Sequence, residues 1–163
     1  MKLYLSLFLV ISLIHSKTAF SNENLIITEI KNDYTYAINE FQRKLKSCEE
    51  GNEGISTQAF SQELLSNKSA LSVVINYYYF KSLHDCVQNE LKTYSIETTK
   101  FMARGNTEDI FKMNYLIMNI PLSLVDARIE FNKLPNSIKE ETYKIKSLEK
   151  PFDMLITMDS LNL

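Results

Sequence analysis

Turn-forming residues are scarce in this chain, and their scarcity restricts the folds that the chain can adopt. Only three glycines and three prolines occur among 163 residues. Sandwiches and barrels of β-strands need frequent turns, and glycine and proline are the strongest turn signals. Because 45% of the residues are hydrophobic, the chain also has enough apolar side chains to form a core. We therefore expect a compact all-α bundle of about five to six helices.

The first 21 residues have the features of a secretory signal peptide. Lys2 precedes an apolar run of about 12 residues, and Ala19 and Ser21 supply small side chains at the cleavage positions. A membrane span needs about 20 apolar residues, so a cleaved signal is favoured over a retained anchor. We expect residues 1–21 to be removed and residues 22–163 to form a single all-α domain without a membrane span. Its location would be extracytoplasmic: periplasmic in a Gram-negative bacterium and secreted otherwise.

The charge of the mature chain argues against nucleic acid as a partner. Removal of Lys2 and Lys17 would leave 16 basic and 20 acidic residues, a formal charge of −4. Polyanions such as nucleic acids and anionic membranes attract basic surfaces instead. Another protein is therefore the expected partner.

Hydrophobic periodicity divides the chain into helices. Apolar residues at steps of three and four predict a first helix from Ile27 to about Glu50. A short helix over about 57–65 and a long helix over about 69–103 follow. The long helix is apolar almost all round, which is typical of a helix at the centre of a bundle. Pro121 interrupts the apolar segment from Ile110 to Phe131, which predicts two buried helices or one kinked helix.

Two further helices are predicted near the C-terminus. Ser137 followed by Glu140 has the spacing of a capping box and predicts a helix that begins at Ser137. A last short helix after Pro151 is predicted to carry the apolar residues Phe152, Leu155 and Ile156.

The two cysteines are predicted to form one structural disulfide. Cys48 ends the apolar stripe of the first helix, and Cys86 lies on an apolar face of the central helix. In an oxidising compartment an even number of inward-facing cysteines favours a disulfide over free buried thiols. His84 and Cys86 are two positions apart, so on a helix their side chains differ by about 200° in direction. This excludes a local catalytic dyad of these two residues.

Three residues of the central helix are candidate binding residues. The side chains from Tyr77 to Phe80 sweep about 300° of helix surface, so one neighbouring helix cannot cover all four rings. Tyr77 or Tyr78 could therefore anchor a partner, because tyrosine is enriched at interface hot spots. His84 is the third candidate and the only histidine after residue 21. The competing interpretation for all three residues is packing in the core.

The sequence predicts no catalytic or metal site and no cofactor. A zinc site needs three or four converging ligands, and only His84 and scattered carboxylates remain once the cysteines pair. Asp126 and Arg128 lie in an apolar segment, which predicts a buried ion pair or a partner for the helix dipole.

These observations favour an exported binding protein of the inhibitor or immunity type, which occupies the surface of an extracytoplasmic enzyme or toxin. The alternative is a small-ligand or chaperone-like carrier with an apolar cavity between the central helix and the Ile110–Phe131 segment. Four methionines in apolar stretches, Met113, Met118, Met154 and Met158, would make such a cavity adaptable. A hydrolase that uses His84 with carboxylates is a third hypothesis, which requires His84 to face an acid in an open cleft.

Overall fold

The protein is an all-α bundle, as the sequence predicts. The computed structural model describes the backbone of residues 2–50, 52–104 and 108–163 and the side chains of 25–50, 52–104 and 119–163. Within these residues the helices are α1 (Lys2–Glu49), α2 (Gln62–Ser66), α3 (Lys68–Met102), α4 (Glu108–Asn132), α5 (Asn136–Thr142) and α6 (Met154–Leu161). Short 3-10 turns at Thr57–Ala59 and Lys146–Glu149 complete the described secondary structure.

The long central helix α3 is confirmed within one residue at each end. The Asn67 side chain caps its first turn, because its Oδ1 accepts a hydrogen bond from the Ala70 amide at 3.1 Å. α3 packs against both α1 and α4. The polar stripe on its surface includes the Lys81–Asp85 ion pair at 2.7 Å.

The predicted apolar stripe of α1 is also confirmed. Its buried members pack on the C-terminal half of α3, where the Tyr34 ring stacks on Phe101 with centroids 4.7 Å apart. The helix is longer than predicted, since it begins at Lys2 and runs without a break through residue 21. Cleavage after Ser21 stays a prediction.

The Cys48–Cys86 disulfide joins α1 to α3, as predicted. The sulfur atoms are 2.02 Å apart and the Cα atoms 6.3 Å apart. Cys48 is buried, whereas Cys86 is half-buried.

α3 divides the interior into two cores on opposite sides of its axis. The N-terminal half of α3 contributes Leu71, Val74, Ile75 and Tyr78 to the C-terminal core, together with residues of the loops and of α4–α6. The C-terminal half contributes Leu83, Val87, Tyr94 and Phe101 to the α1–α3 core. Tyr78 and Val87 are nine residues apart and therefore differ by about 180° in direction. This change of face explains why the helix is apolar almost all round.

The segment from Ile110 to Phe131 lies within one helix, α4, which contains Pro121. Of the two predicted arrangements, the structure shows the single helix. The predicted burial of the whole segment is wrong, because Leu122, Val125 and Ile129 are about half exposed, at 55%, 53% and 51%.

Three other local predictions are corrected. α5 begins at Asn136 with Pro135 as its N-cap, so Ser137 lies inside the first turn and caps nothing. The helix predicted over 57–65 is a 3-10 turn followed by α2, whose N-cap is Ser61. In α6, Leu155 and Ile156 are exposed, and the core receives Thr157 and Leu161 instead. Gly51, near the predicted end of the first helix, lies outside the described residues.

No helix in the described part of the chain is long and apolar enough to span a bilayer.

Candidate functional site

The structure places the two candidate tyrosines in different environments. Tyr78 is 4% exposed and meets the Phe131 ring edge-on, with centroids 5.7 Å apart. Tyr77 is half-buried and stacks on the same ring at 4.2 Å. Burial raises the pKa of the Tyr78 hydroxyl. Tyr78 therefore packs in the core and offers no ring to a partner, while Tyr77 presents only part of its ring.

His84 lies on α3 two turns beyond Tyr77, on the same side of the helix. Its side chain is 30% exposed, and its Nδ1 is 3.6 Å from the Asp85 carboxylate, which also pairs with Lys81. A hydrolytic site would need a nucleophile or a second acid within hydrogen-bond reach. His84 shares a groove along α3 with other described residues, and the nearest hydroxyl among them belongs to Ser95, about 16 Å further along the helix axis. Among the described residues, the one ion-pair contact of His84 is therefore with the adjacent Asp85.

His84 lines a groove of about 720 Å³ along the C-terminal half of α3, which we call the α3 groove. Its described lining combines apolar Leu91 and Ile96 with the cationic side chains of Lys92 and Lys100. The side chains of Met113 and Met118, predicted to line a cavity beside α3, lie outside the described residues. Met154 and Met158 pack against the C-terminal core.

A smaller concave feature, the disulfide cleft, lies beside Cys48 and holds about 160 Å³. It is formed by the C-terminal end of α1 with Asn52, by the middle of α3, and by residues 151–155 at the start of α6. The Asn52 side chain donates a hydrogen bond to the Cys48 carbonyl oxygen, which holds the loop against α1. Phe152 meets the Tyr79 ring edge-on at 6.0 Å. The cleft is thus built on both the disulfide and the C-terminal core.

The described lining of the disulfide cleft includes two carboxylates, Glu49 and Asp153, and no basic side chain. Burial raises the pKa of the Tyr79 hydroxyl, and the carboxylates of Glu49 and Asp153 raise it further. No cation contributes to this shift. The Asp153 carboxylate also caps α6, since its Oδ1 accepts a hydrogen bond from the Ile156 amide at 2.8 Å.

A third feature, which the sequence analysis did not identify, is the α4 stripe formed by Leu122, Val125 and Ile129. These residues are spaced by three and four and share one face of α4. The opposite face packs inward through four buried residues: Ile120, Leu124, Ala127 and Phe131. In the sequence, the α4 stripe is recognisable as a second apolar face of α4 besides the buried one. Periodicity alone does not show which of these two faces lacks a neighbouring element.

The predicted burial of Asp126 and Arg128 is wrong, because both side chains are exposed beside the α4 stripe. No ion pair joins these two residues. Asp126 instead lines a shallow groove of about 300 Å³, with Ile129, Glu130 and the α3 residue Asn76. The α4 stripe therefore has a polar margin on one side.

Among the described residues, no three histidine, cysteine or carboxylate side chains converge in a way that could hold a metal ion. Comparison with known proteins gives no family model, no curated relative and no solved structure that matches this chain.

Proposed function

We propose that this protein is an exported binding protein that occupies the surface of another protein, of the kind exemplified by inhibitors of extracytoplasmic enzymes and immunity proteins against toxins. The observation that carries the proposal is the α4 stripe. It places three large aliphatic side chains, each about half exposed, in one row of a helix whose other apolar face is already packed.

Single exposed apolar residues are normal on protein surfaces, but a contiguous row is typical of an interaction site. The stripe has the spacing with which one helix packs against another element. Its margin, with Asp126, Glu130 and Asn76, is polar. An apolar centre with a polar rim is the usual composition of a protein–protein interface.

Export and the disulfide support the extracytoplasmic part of the proposal. The Cys48–Cys86 bond is of a kind that persists in oxidising compartments. The signal-like residues 1–21 would bring the chain there.

The proposal is tested with the triple variant Leu122→Ser/Val125→Ser/Ile129→Ser. Burial of the exposed half of each side chain stabilises a complex by about 1 kcal/mol, so the triple change should weaken binding about 100-fold. The matched control is Tyr36→Ser/Tyr143→Ser, which removes two rings that are 68% and 62% exposed elsewhere. Circular dichroism and urea unfolding should show that both variants remain folded.

Affinity capture from the extracytoplasmic extract of the source organism, followed by mass spectrometry, provides the measurement. We expect a protein that binds stoichiometrically to the wild type and to the control but not to the stripe variant. That protein is then assayed for loss of its activity in the complex. Equal capture by all three proteins would contradict the proposed role of the α4 stripe.

A small-ligand carrier is the second candidate, and the α3 groove is the observation that favours it. Its volume of about 720 Å³ lies within the range of small-molecule pockets, about 300–1,000 Å³. Native mass spectrometry of the purified protein separates the two candidates. A retained small molecule that is lost on Ile96→Asp, together with no captured protein, would favour the carrier.

A further inference from the structure

We propose that the disulfide cleft receives a single lysine or arginine side chain from a protein partner. The inference rests on the proposed function in one respect: the lysine or arginine side chain comes from a bound protein. It concerns a surface formed by α1, α3 and the start of α6, and it does not involve the α4 stripe.

The size and walls of the cleft fit one long side chain. Its volume of about 160 Å³ is below the range of about 300–1,000 Å³ typical of sites for drug-sized molecules. Three apolar residues, Pro151, Met154 and Leu155, form one wall. Leu155 is 79% exposed, the highest value among the large hydrophobic residues with described side chains. Lysine and arginine lay their methylene stems along apolar surface of this kind while the charged group stays near polar atoms.

The charge of the cleft selects a cation. Glu49 at the end of α1 and Asp153 at the start of α6 approach the cleft from two different elements. No ion pair among the described residues uses either carboxylate, and the nearby Lys46 pairs with Glu50 instead. Both carboxylates also act on the Tyr79 hydroxyl, and no cation offsets them there. An incoming ammonium or guanidinium group would therefore supply the missing positive charge and bind through charge-assisted hydrogen bonds.

The test is a titration of the oxidised protein with the peptide acetyl-Leu-Arg-Leu-amide, followed by amide chemical shifts in the NMR spectrum. The same peptide with citrulline in place of arginine keeps the shape and removes the charge. We expect saturable shifts at Asn52, Ser82 and Asp153 with the arginine peptide. The citrulline peptide should bind at least about tenfold more weakly, as expected when charge-assisted hydrogen bonds are lost.

Two charge-removing substitutions and one control complete the test. Glu49→Gln combined with Asp153→Asn should weaken binding of the arginine peptide about tenfold. Asparagine is as good an N-cap as aspartate, so α6 should stay intact. Asp159→Asn changes an exposed carboxylate of α6 outside the cleft and should leave binding unchanged.

Three results would overturn the inference: equal binding of the two peptides, shifts that saturate elsewhere on the protein, or no saturable shift. None of these results bears on the α4 stripe, since the peptide probe is independent of the captured partner. Loss of partner capture in the stripe variant, conversely, would leave the peptide titration unchanged.

Discussion

At the scale of single residues, the contact between Gly54 and α6 shows how tightly the connecting loop packs. A Cβ atom added at Gly54 would overlap the Ile156 side chain and lie 3.1 Å from the Ile156 carbonyl carbon. Glycine is therefore required here by close approach of the loop to the helix.

We predict that Gly54→Ala lowers the free energy of unfolding by about 1–3 kcal/mol, the usual cost of inserting a methyl group into packed structure. Urea unfolding measures the change. Ile156→Ala in the same chain should recover part of it, because the overlapping Cγ2 atom is removed. Ser56→Ala in the exposed part of the same loop serves as the control and should change stability by less than about 0.5 kcal/mol. A Gly54→Ala variant as stable as the wild type would show that the loop can move aside.

The ionisation of the Tyr79 hydroxyl leads to a second prediction at this scale, on how stability depends on pH. Burial, with Glu49 and Asp153, raises its pKa above 10.0 in the folded protein. The folded state therefore holds this proton more tightly than the unfolded state does. The associated stability is present below the unfolded pKa of about 10 and is lost as the pH rises through the folded pKa.

We expect the free energy of unfolding to fall as the pH rises above about 10, and to fall less steeply in Tyr79→Phe than in the wild type. Urea unfolding at stepped pH measures both slopes. Lysines also titrate in this range, so the difference between the two slopes isolates the tyrosine. Identical slopes would show that Tyr79 ionises equally easily in both states.

At the scale of elements, the all-helical fold and the bounds of α3 follow from the sequence, whereas the start of α1 and the partner of each helix face do not. The bounds of α3 were predictable because its N-cap and its unbroken apolar pattern are local properties. Its change of buried face between Tyr78 and Val87 depends on where α1 and α4–α6 pack, which is a tertiary property.

The C-terminal helices show the same limit. Ser137 has the spacing of a capping box, but the N-cap of α5 is Pro135, two residues earlier. Leu155 and Ile156 have the right hydrophobicity for a core, yet α6 turns Thr157 and Leu161 inward. Thr157 is buried because its hydroxyl is satisfied: it donates to the Asp153 carbonyl oxygen and accepts from the Ile55 amide at 2.9 Å. Such long-range hydrogen bonds leave no signal in local periodicity.

The candidate site was less predictable than the fold. Residue chemistry alone predicts Tyr77, Tyr78 and His84 as binding residues, but Tyr78 packs in the core. The α4 stripe and the disulfide cleft were missed for different reasons. The apolar character of the stripe residues predicts burial, so composition alone hides the fact that they are exposed. The cleft joins residues about 100 positions apart, such as Glu49 and Asp153.

At the scale of the whole molecule, α3 runs through two cores, and the disulfide belongs to only one of them. α4 also contributes to both, with Phe131 in the C-terminal core and Ile120 in the α1–α3 core. Tyr79 contacts both cores, whereas every buried residue in the described part of α1, from residue 25 onward, belongs to the α1–α3 core. The Cys48–Cys86 bond closes a loop of 38 residues. Its removal should therefore affect the α1–α3 core first.

We predict that Cys48→Ala/Cys86→Ala lowers the free energy of unfolding by at most about 4 kcal/mol, the chain-entropy value for a loop of this length. Hydrogen exchange should locate the effect, because proteins open in cooperative units. Amides of residues 34–48 and 83–101 should lose more protection than those of residues 70–78.

Phe131→Ala is the reciprocal control, since Phe131 is 2% exposed in the C-terminal core. It should cost about 3–5 kcal/mol and lower protection most at residues 70–78. Equal loss of protection across both cores in both variants would mean that α3 couples the two cores into one cooperative unit. A partner bound at the α4 stripe would then stabilise α1 as strongly as it stabilises α4.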